Sequence, residues 1–124
     1  MKESPIFHKL FEFTAWVIPL TLKFPRAQRF VVAEALQRVT LGAHEAAIRA
    51  GHTKDPVALA RELDAVALHL SLTRFYLRLA HKLMLITLKQ HEYAAERLTE
   101  IGRLLEAWKR VSAAKKVATG VVAE

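Results

Sequence analysis

The stretch His81-Lys-Leu-Met-Leu-Ile-Thr-Leu-Lys-Gln-His91 (HKLMLITLKQH) decides how many helices this chain has, and it contains neither glycine nor proline. Upstream of it, Leu59, Leu63, Val66, Leu70, Thr73, Leu77, Ala80 and Met84 keep an alternating four–three spacing, the repeat of a single buried helical stripe. Downstream, Ala94, Leu98, Ile101, Leu105 and Trp108 make another. Read without a break, they form one helix running past residue 105, longer than a globular domain uses. Thr87-Leu88-Lys89-Gln90 fits a capping box, T-x-x-Q, in which threonine and glutamine satisfy each other's free backbone N–H groups. The spacing therefore predicts a turn near Leu85–Thr87 and two helices rather than one.

The remaining boundaries carry plainer punctuation. Asp55-Pro56 pairs a capping carboxylate with a proline suited to the first helical turn. Gly51 ends the helix before it, and His52-Thr53-Lys54 makes a short turn. Ser4-Pro5 opens a first helix whose Ile6, Leu10, Phe13, Val17, Leu20 and Phe24 share one face. Pro19 lies inside it and is expected to kink it or end its regular part a residue earlier. Phe24-Pro25 is a break followed at once by a restart, because proline disfavours helical geometry in the residue before it and fixes its own φ for a new helix. The second helix is predicted from Pro25 to about Ala50, with Phe30, Leu36, Val39, Ala43, Ala46 and Ala50 inward. Four helices with short connections imply an all-α, antiparallel up-down-up-down four-helix bundle over 1–112. From residue 113 the sequence AAKKVATGVVAE loses its pattern and is expected to be a frayed tail over 113–124.

A length of 124 residues allows one domain with a real core, and 52% hydrophobic residues argue against disorder. Cysteine is absent, which excludes disulfides and thiolate metal sites and fits a reducing, cytoplasmic compartment. No secretory signal is read at the start, and the best apolar run, Phe13–Leu22, is about half of the ~20 residues a membrane crossing needs. A soluble protein is expected. The net charge of +7 predicts a field that draws in polyanions: nucleic acid, acidic membrane or an acidic protein. Solubility alone is the blander explanation.

Two helices carry more apolar surface than one core needs. Leu68, Leu72, Phe75, Leu79, Leu83 and Ile86 form a second row on the third helix, and Phe7, Phe11, Ile18 and Leu22 do so on the first. A peripheral helix normally shows one stripe, so the second rows predict contact with another copy of the chain. The alternative is a wide core filled by large aromatics.

The search for chemistry returns absences. His44-Glu45 and His91-Glu92 lack the second histidine of a zinc-protease helix, and no metal ligand set assembles from the six histidines, which are expected to be solvated. No phosphate-cradling glycine loop and no serine elbow is present. The chain is read as a non-enzyme without cofactor or metal. Its bases are better organised. Arg74, Arg78 and Lys82 stand four apart on one ridge, with Asp64 as the one acid on that line. Arg26 and Arg29 start the second helix, and Lys109 and Arg110 lie near the end of the fourth. Such rows pair with phosphate oxygens without reading bases. Glu106–Arg110 reads as an ordinary helical ion pair, and Arg61 and Arg103 as part of a salt-bridged solvent face.

Phe24 to Gln37, F-P-R-x-Q-R-F-x-x-x-E-x-L-Q, resembles the second-helix signature of the four-helix-bundle proteins known as 23S rRNA intervening-sequence proteins. Together with MKESPIF at the start and HEYAAERLTEIGRLLEAWKR later, it looks most like their retroelement branch, the accessory variability determinants of diversity-generating retroelements. That resemblance implies a homopentameric barrel of bundles with a basic surface that binds reverse transcriptase and nucleic acid while template RNA is copied mutagenically into a variable gene. On this chain it places partner contacts at Arg26, Arg29, Arg74 and Arg78. The alternative it leaves is a generic, structural or rRNA-associated bundle without a polymerase partner. A peripheral membrane role through a basic amphipathic face ranks third.

Overall fold

Asp55 Oδ2 accepts a hydrogen bond from the Ala58 N–H at 2.9 Å, and Pro56 sits in the turn that this cap begins. The computed structural model, which describes residues 5–118, places this start at the third of four helices. They are α1 (Pro5–Leu22), α2 (Glu34–Gly51), α3 (Pro56–Lys82) and α4 (Leu88–Ala118), and the described residues contain no strand. The cap expected at Ser4 lies outside the described residues. Backbones of α1 approach α2 and α4, those of α3 approach α2 and α4, and neither diagonal pair meets. That is the square up-down-up-down ring expected of short connections.

The core is the sum of the single stripes. Ile6, Leu10 and Val17 of α1, Leu36 of α2, Leu63, Val66 and Leu77 of α3, and Leu98, Ile101 and Leu105 of α4 are all buried. Along α2 the buried positions are mostly alanine (Ala35, Ala43, Ala46, Ala47 and Ala50), so α3 packs closely against it. At Gly42 the approach leaves no room for a side chain: a Cβ there would collide with the imidazole of His69, whose Nδ1 bonds the Ala65 carbonyl at 2.8 Å.

Pro19 neither ends α1 nor moves its limit, since the helix continues to Leu22. Proline has no N–H for the Ala15 carbonyl, but both residues are exposed, so the missing bond falls on the solvent side of the helix. The break at Phe24-Pro25 is observed, with Phe24 almost buried. The restart is not a plain α-helix. Arg26–Gln28 form a 3-10 turn and Arg29–Ala33 a π-helical turn before α2 begins at Glu34. Phe30 therefore does not point inward. It stands six residues before Leu36, off the buried stripe, and is 76% exposed, while Val32 and Ala33 take the core positions.

The α3–α4 turn confirms two helices and shows how the first one stops. Thr87 N–H donates to Gln90 Oε1 at 2.8 Å and Gln90 N–H to Thr87 Oγ1 at 3.1 Å, the reciprocal box. At the end of α3, Leu85 N–H reaches the Ala80 carbonyl at 2.8 Å and Met84 N–H the His81 carbonyl at 3.0 Å. This is a Schellman closure with Met84, φ 61°, in the left-handed position that glycine usually fills. The reversal corrects two expectations together. Met84, read as core, is 89% exposed, and Ile86, read as part of an outer row, is buried.

The second rows divide as well. Phe7 meets Trp108 edge-on at 5.7 Å inside the subunit, and Leu72 and Leu79 are half-buried against the core. None of these three is a free outer residue. Phe11, Leu22, Leu68, Phe75 and Leu83 remain exposed. On α2 as well, Leu41 and Ile48, seven residues apart, are exposed, and His44 between them lies with its ring 6.5 Å from that of Phe11 of α1. Finally, α4 continues past Ser112 as helix to Ala118, through alanine and lysine residues of good helix propensity; 119–124 lie outside the described residues.

Candidate nucleic-acid interface

Spacing of three and four along two antiparallel helices builds a groove between α3 and α4. On α3, Ser71, Arg74 and Arg78 face it; on α4, the row Thr99, Arg103, Glu106 and Arg110 does. It comprises two adjoining concavities, of about 630 and 410 Å³, which share Ser71, Arg74 and Thr99. Arg74 crosses it, with Nη2 donating to the Leu98 carbonyl at 3.1 Å. The crossing passes over Gly102, where an added methyl group would lie 3.4 Å from Nη2, in ordinary van der Waals contact. One donor is thereby anchored, and the other N–H groups of a fixed planar fork remain for a ligand.

Charge pairing separates the cations. Among the described residues, Arg74, Arg78, Lys82, Arg103 and Arg110 have no carboxylate within 4.0 Å. Asp64, the expected neutraliser of the ridge, instead holds Lys109 at 3.3 Å, and Glu106 approaches Lys109 at 3.9 Å rather than Arg110. The Lys109 ammonium thus lies between two carboxylates, unlike the groove arginines. Arg103, which sequence reasoning assigned to a salt-bridged face, belongs to the groove; its signal was the 99-103-106-110 spacing opposite the ridge.

The other predicted positions lie elsewhere. Lys82 ends α3, and Arg26 and Arg29 are exposed on the α1–α2 corner, at the same end of the bundle. His81 and His91 stack at 5.0 Å with planes 13° apart, at that end of the groove. They and His44 and His69 are half-buried, so four of the histidines expected in solvent are partly packed. Burial lowers the pKa of His44 below its ordinary value, against a smaller opposing pull from Glu45. No cluster of three or more metal-ligating side chains occurs among the described residues. The exposed aromatics give no stacking platform on the groove: Phe75 lies at its rim with its ring 5.0 Å from that of Tyr76. Free guanidinium forks of this kind are matched to bidentate pairing with carboxylate or phosphate oxygens. No described helix is long and apolar enough to cross a membrane.

Comparison with known proteins agrees with this architecture. A crystal structure of a protein of unknown function from the S23 ribosomal protein family of Bacteroides thetaiotaomicron is similar with a TM-score of 0.78 at 22% identity, over 86% of this chain and 96% of that one. At that identity the likeness speaks for the fold. No curated protein matches the sequence. A family model described as bAvd-like matches residues 6–112, nearly the whole bundle, and the chain belongs to that bAvd-like family.

Proposed function

We propose that this chain is a non-catalytic accessory protein of a diversity-generating retroelement, a homo-oligomeric adaptor that holds RNA or DNA along the α3–α4 groove and binds a reverse transcriptase. The observation that carries the nucleic-acid part is the set Arg74, Arg78, Arg103 and Arg110, unpaired and lining one groove. Membership of the bAvd-like family supports the retroelement setting. Phosphate contacts of this kind give binding with low sequence preference and steep salt dependence.

Reversing Arg74 and Arg78 together to glutamate tests it. Affinity for a 20-nucleotide RNA, read by fluorescence anisotropy, should fall at least about tenfold at 0.1 M salt, and the log–log salt slope by about 2, with helicity unchanged. Unaltered binding would show the ridge to be decorative. The oligomer is tested where apolar side chains are actually free. Leu68→Glu with Phe75→Glu, both about half-exposed in the subunit, should reduce the sedimenting species to a 14.0 kDa monomer; an intact assembly would place the subunit contact on the Phe11–Leu41–Ile48 face instead. The structural neighbour's S23 family favours one second reading, an rRNA-associated bundle without a polymerase. A reverse-transcriptase gene and imperfect repeats beside this gene would decide for the retroelement.

A further inference from the structure

The groove leaves one end of the bundle unexplained. Segments 22–33 and 82–89, the α1–α2 and α3–α4 corners, contain Lys23, Arg26, Arg29, Lys82 and Lys89 and no aspartate or glutamate. The same corners expose Leu22 at 73%, Phe30 at 76%, Val31 at 61%, Met84 at 89% and Leu88 at 58%. Between Leu22 and Phe30 lies a notch of about 300 Å³ with Arg29 on its rim. Its floor is fixed. Phe24 is 8% exposed, Gln37 Nε2 donates to Thr21 Oγ1 at 2.8 Å, and that hydroxyl donates to the Ile18 carbonyl at 2.7 Å.

We infer that this notch, with Arg29 on its rim and Arg26 on the same corner, is a docking site for a protein segment presenting one large apolar side chain flanked by aspartate or glutamate. That a protein partner exists rests on the adaptor reading; the surface and the chemistry of the segment are the new content. Interfaces concentrate their energy in apolar anchors seated in preformed pockets, with charges at the rim steering and selecting the partner. Charge complementarity fixes the sign, since five cations against one carboxylate, Glu34 on the notch wall, leave a positive corner that calls for acidic residues. Three other occupants fit less well. A phosphate backbone would pair with the cations but leave the apolar side chains in water, and Phe30 is the one exposed aromatic here, too few for a stacked strand. A bilayer has no side chain to fill a notch of this size. A second copy meeting this end head-on would bring the same five cations against themselves.

The test uses the full chain and a phage-displayed library of random 12-residue peptides, with selected peptides then measured by fluorescence anisotropy. Selected sequences should pair a large apolar residue with neighbouring acids. Phe30→Ala and Arg29→Glu should each weaken them about tenfold, and Arg74→Glu with Arg78→Glu less than twofold. Both altered corner side chains are exposed, and unchanged circular dichroism verifies the fold. As a second arm, lysine in place of the peptide's acid should restore binding to Arg29→Glu. Absence of acidic-apolar selection, or peptides indifferent to Phe30 and Arg29, overturns the site. So does loss of 20-nucleotide RNA binding in the corner variants, cosedimentation with phosphatidylserine–phosphatidylcholine vesicles that Phe30→Ala abolishes, or a smaller assembly with Phe30→Ala; these outcomes assign the corner to nucleic acid, lipid or a second copy. If the Arg74/Arg78 reversal leaves RNA binding intact, the nucleic-acid reading falls while the peptide result stands by itself.

Discussion

The two flanks of α4 treat positive charge in opposite ways. Toward α1, Glu100 collects Lys9 at 3.2 Å and Arg97 at 3.8 Å, and the Arg97 guanidinium lies 5.1 Å from the Tyr93 ring centroid. Toward α3, Arg103 and Arg110 face Arg74 and Arg78 across a groove whose one carboxylate, Glu106, leans to Lys109. Both flanks are rich in bases; what differs is where the acids fall in the helical phase. A cation already paired gains little from a phosphate, because it must give up one partner for another. An open seam keeps its field for a ligand.

The comparison breaks most directly by closing the open seam. Thr99→Glu sets a carboxylate between Arg74 and Arg103 at an exposed position. We expect RNA affinity to drop about tenfold, the equivalent of about 1.4 kcal/mol, with the melting temperature nearly unchanged. The reciprocal change, Glu100→Ala, frees Lys9 and Arg97 on the other flank and should leave RNA binding within about twofold, since surface pairs of this exposure are worth under about 1 kcal/mol. A gain after Glu100→Ala as large as the loss after Thr99→Glu would mean that net charge, not the groove, governs binding.

How α4 comes to lie in that phase against α3 is set by the turn between them, and here the sequence was only half legible. The capping box at Thr87–Gln90 and the cap at Asp55 are local devices, readable because both partners stand within four residues. The stop of α3 was not readable, since a methionine does the work of glycine at Met84 and the 4-3 rhythm runs straight through it. Phe30 was misplaced because a π-helical turn changes the residue count per turn, which a 3.6-residue template cannot register. Phe7 found Trp108, and Lys109 found Asp64, across distances that no spacing rule spans. For the site, the ridge on α3 was visible because it lies on one helix. Its opposite wall, Arg103 and Arg110, became a site only when the antiparallel pairing brought the two rows together. Placing Met84 in the left-handed region predicts that Met84→Gly stabilises the fold by about 1 kcal/mol, because an 89% exposed side chain has no packing to lose. Thr87→Ala should destabilise by about 1 kcal/mol. Both are read by urea denaturation, and a loss with Met84→Gly would show that α3 ends differently.

The α1–α2 seam supplies the last contrast, since it holds His44, whose ring is shifted by burial. His44 sits against the edge of Phe11, and desolvation lowers its pKa in the folded chain below the ordinary value of about 6.5. Above that value the ring is neutral in folded and unfolded chains alike and contributes nothing to pH dependence. As pH falls below it, the unfolded chain takes up the proton first, so the native state loses stability until its own lower pKa is passed. The melting temperature should therefore decline more steeply between pH 7 and 5 in the parent than in His44→Gln, the difference isolating this ring. Parallel curves for parent and variant would mean that the α1–α2 seam admits water to His44, leaving Phe11 free to turn outward with Leu41 and Ile48.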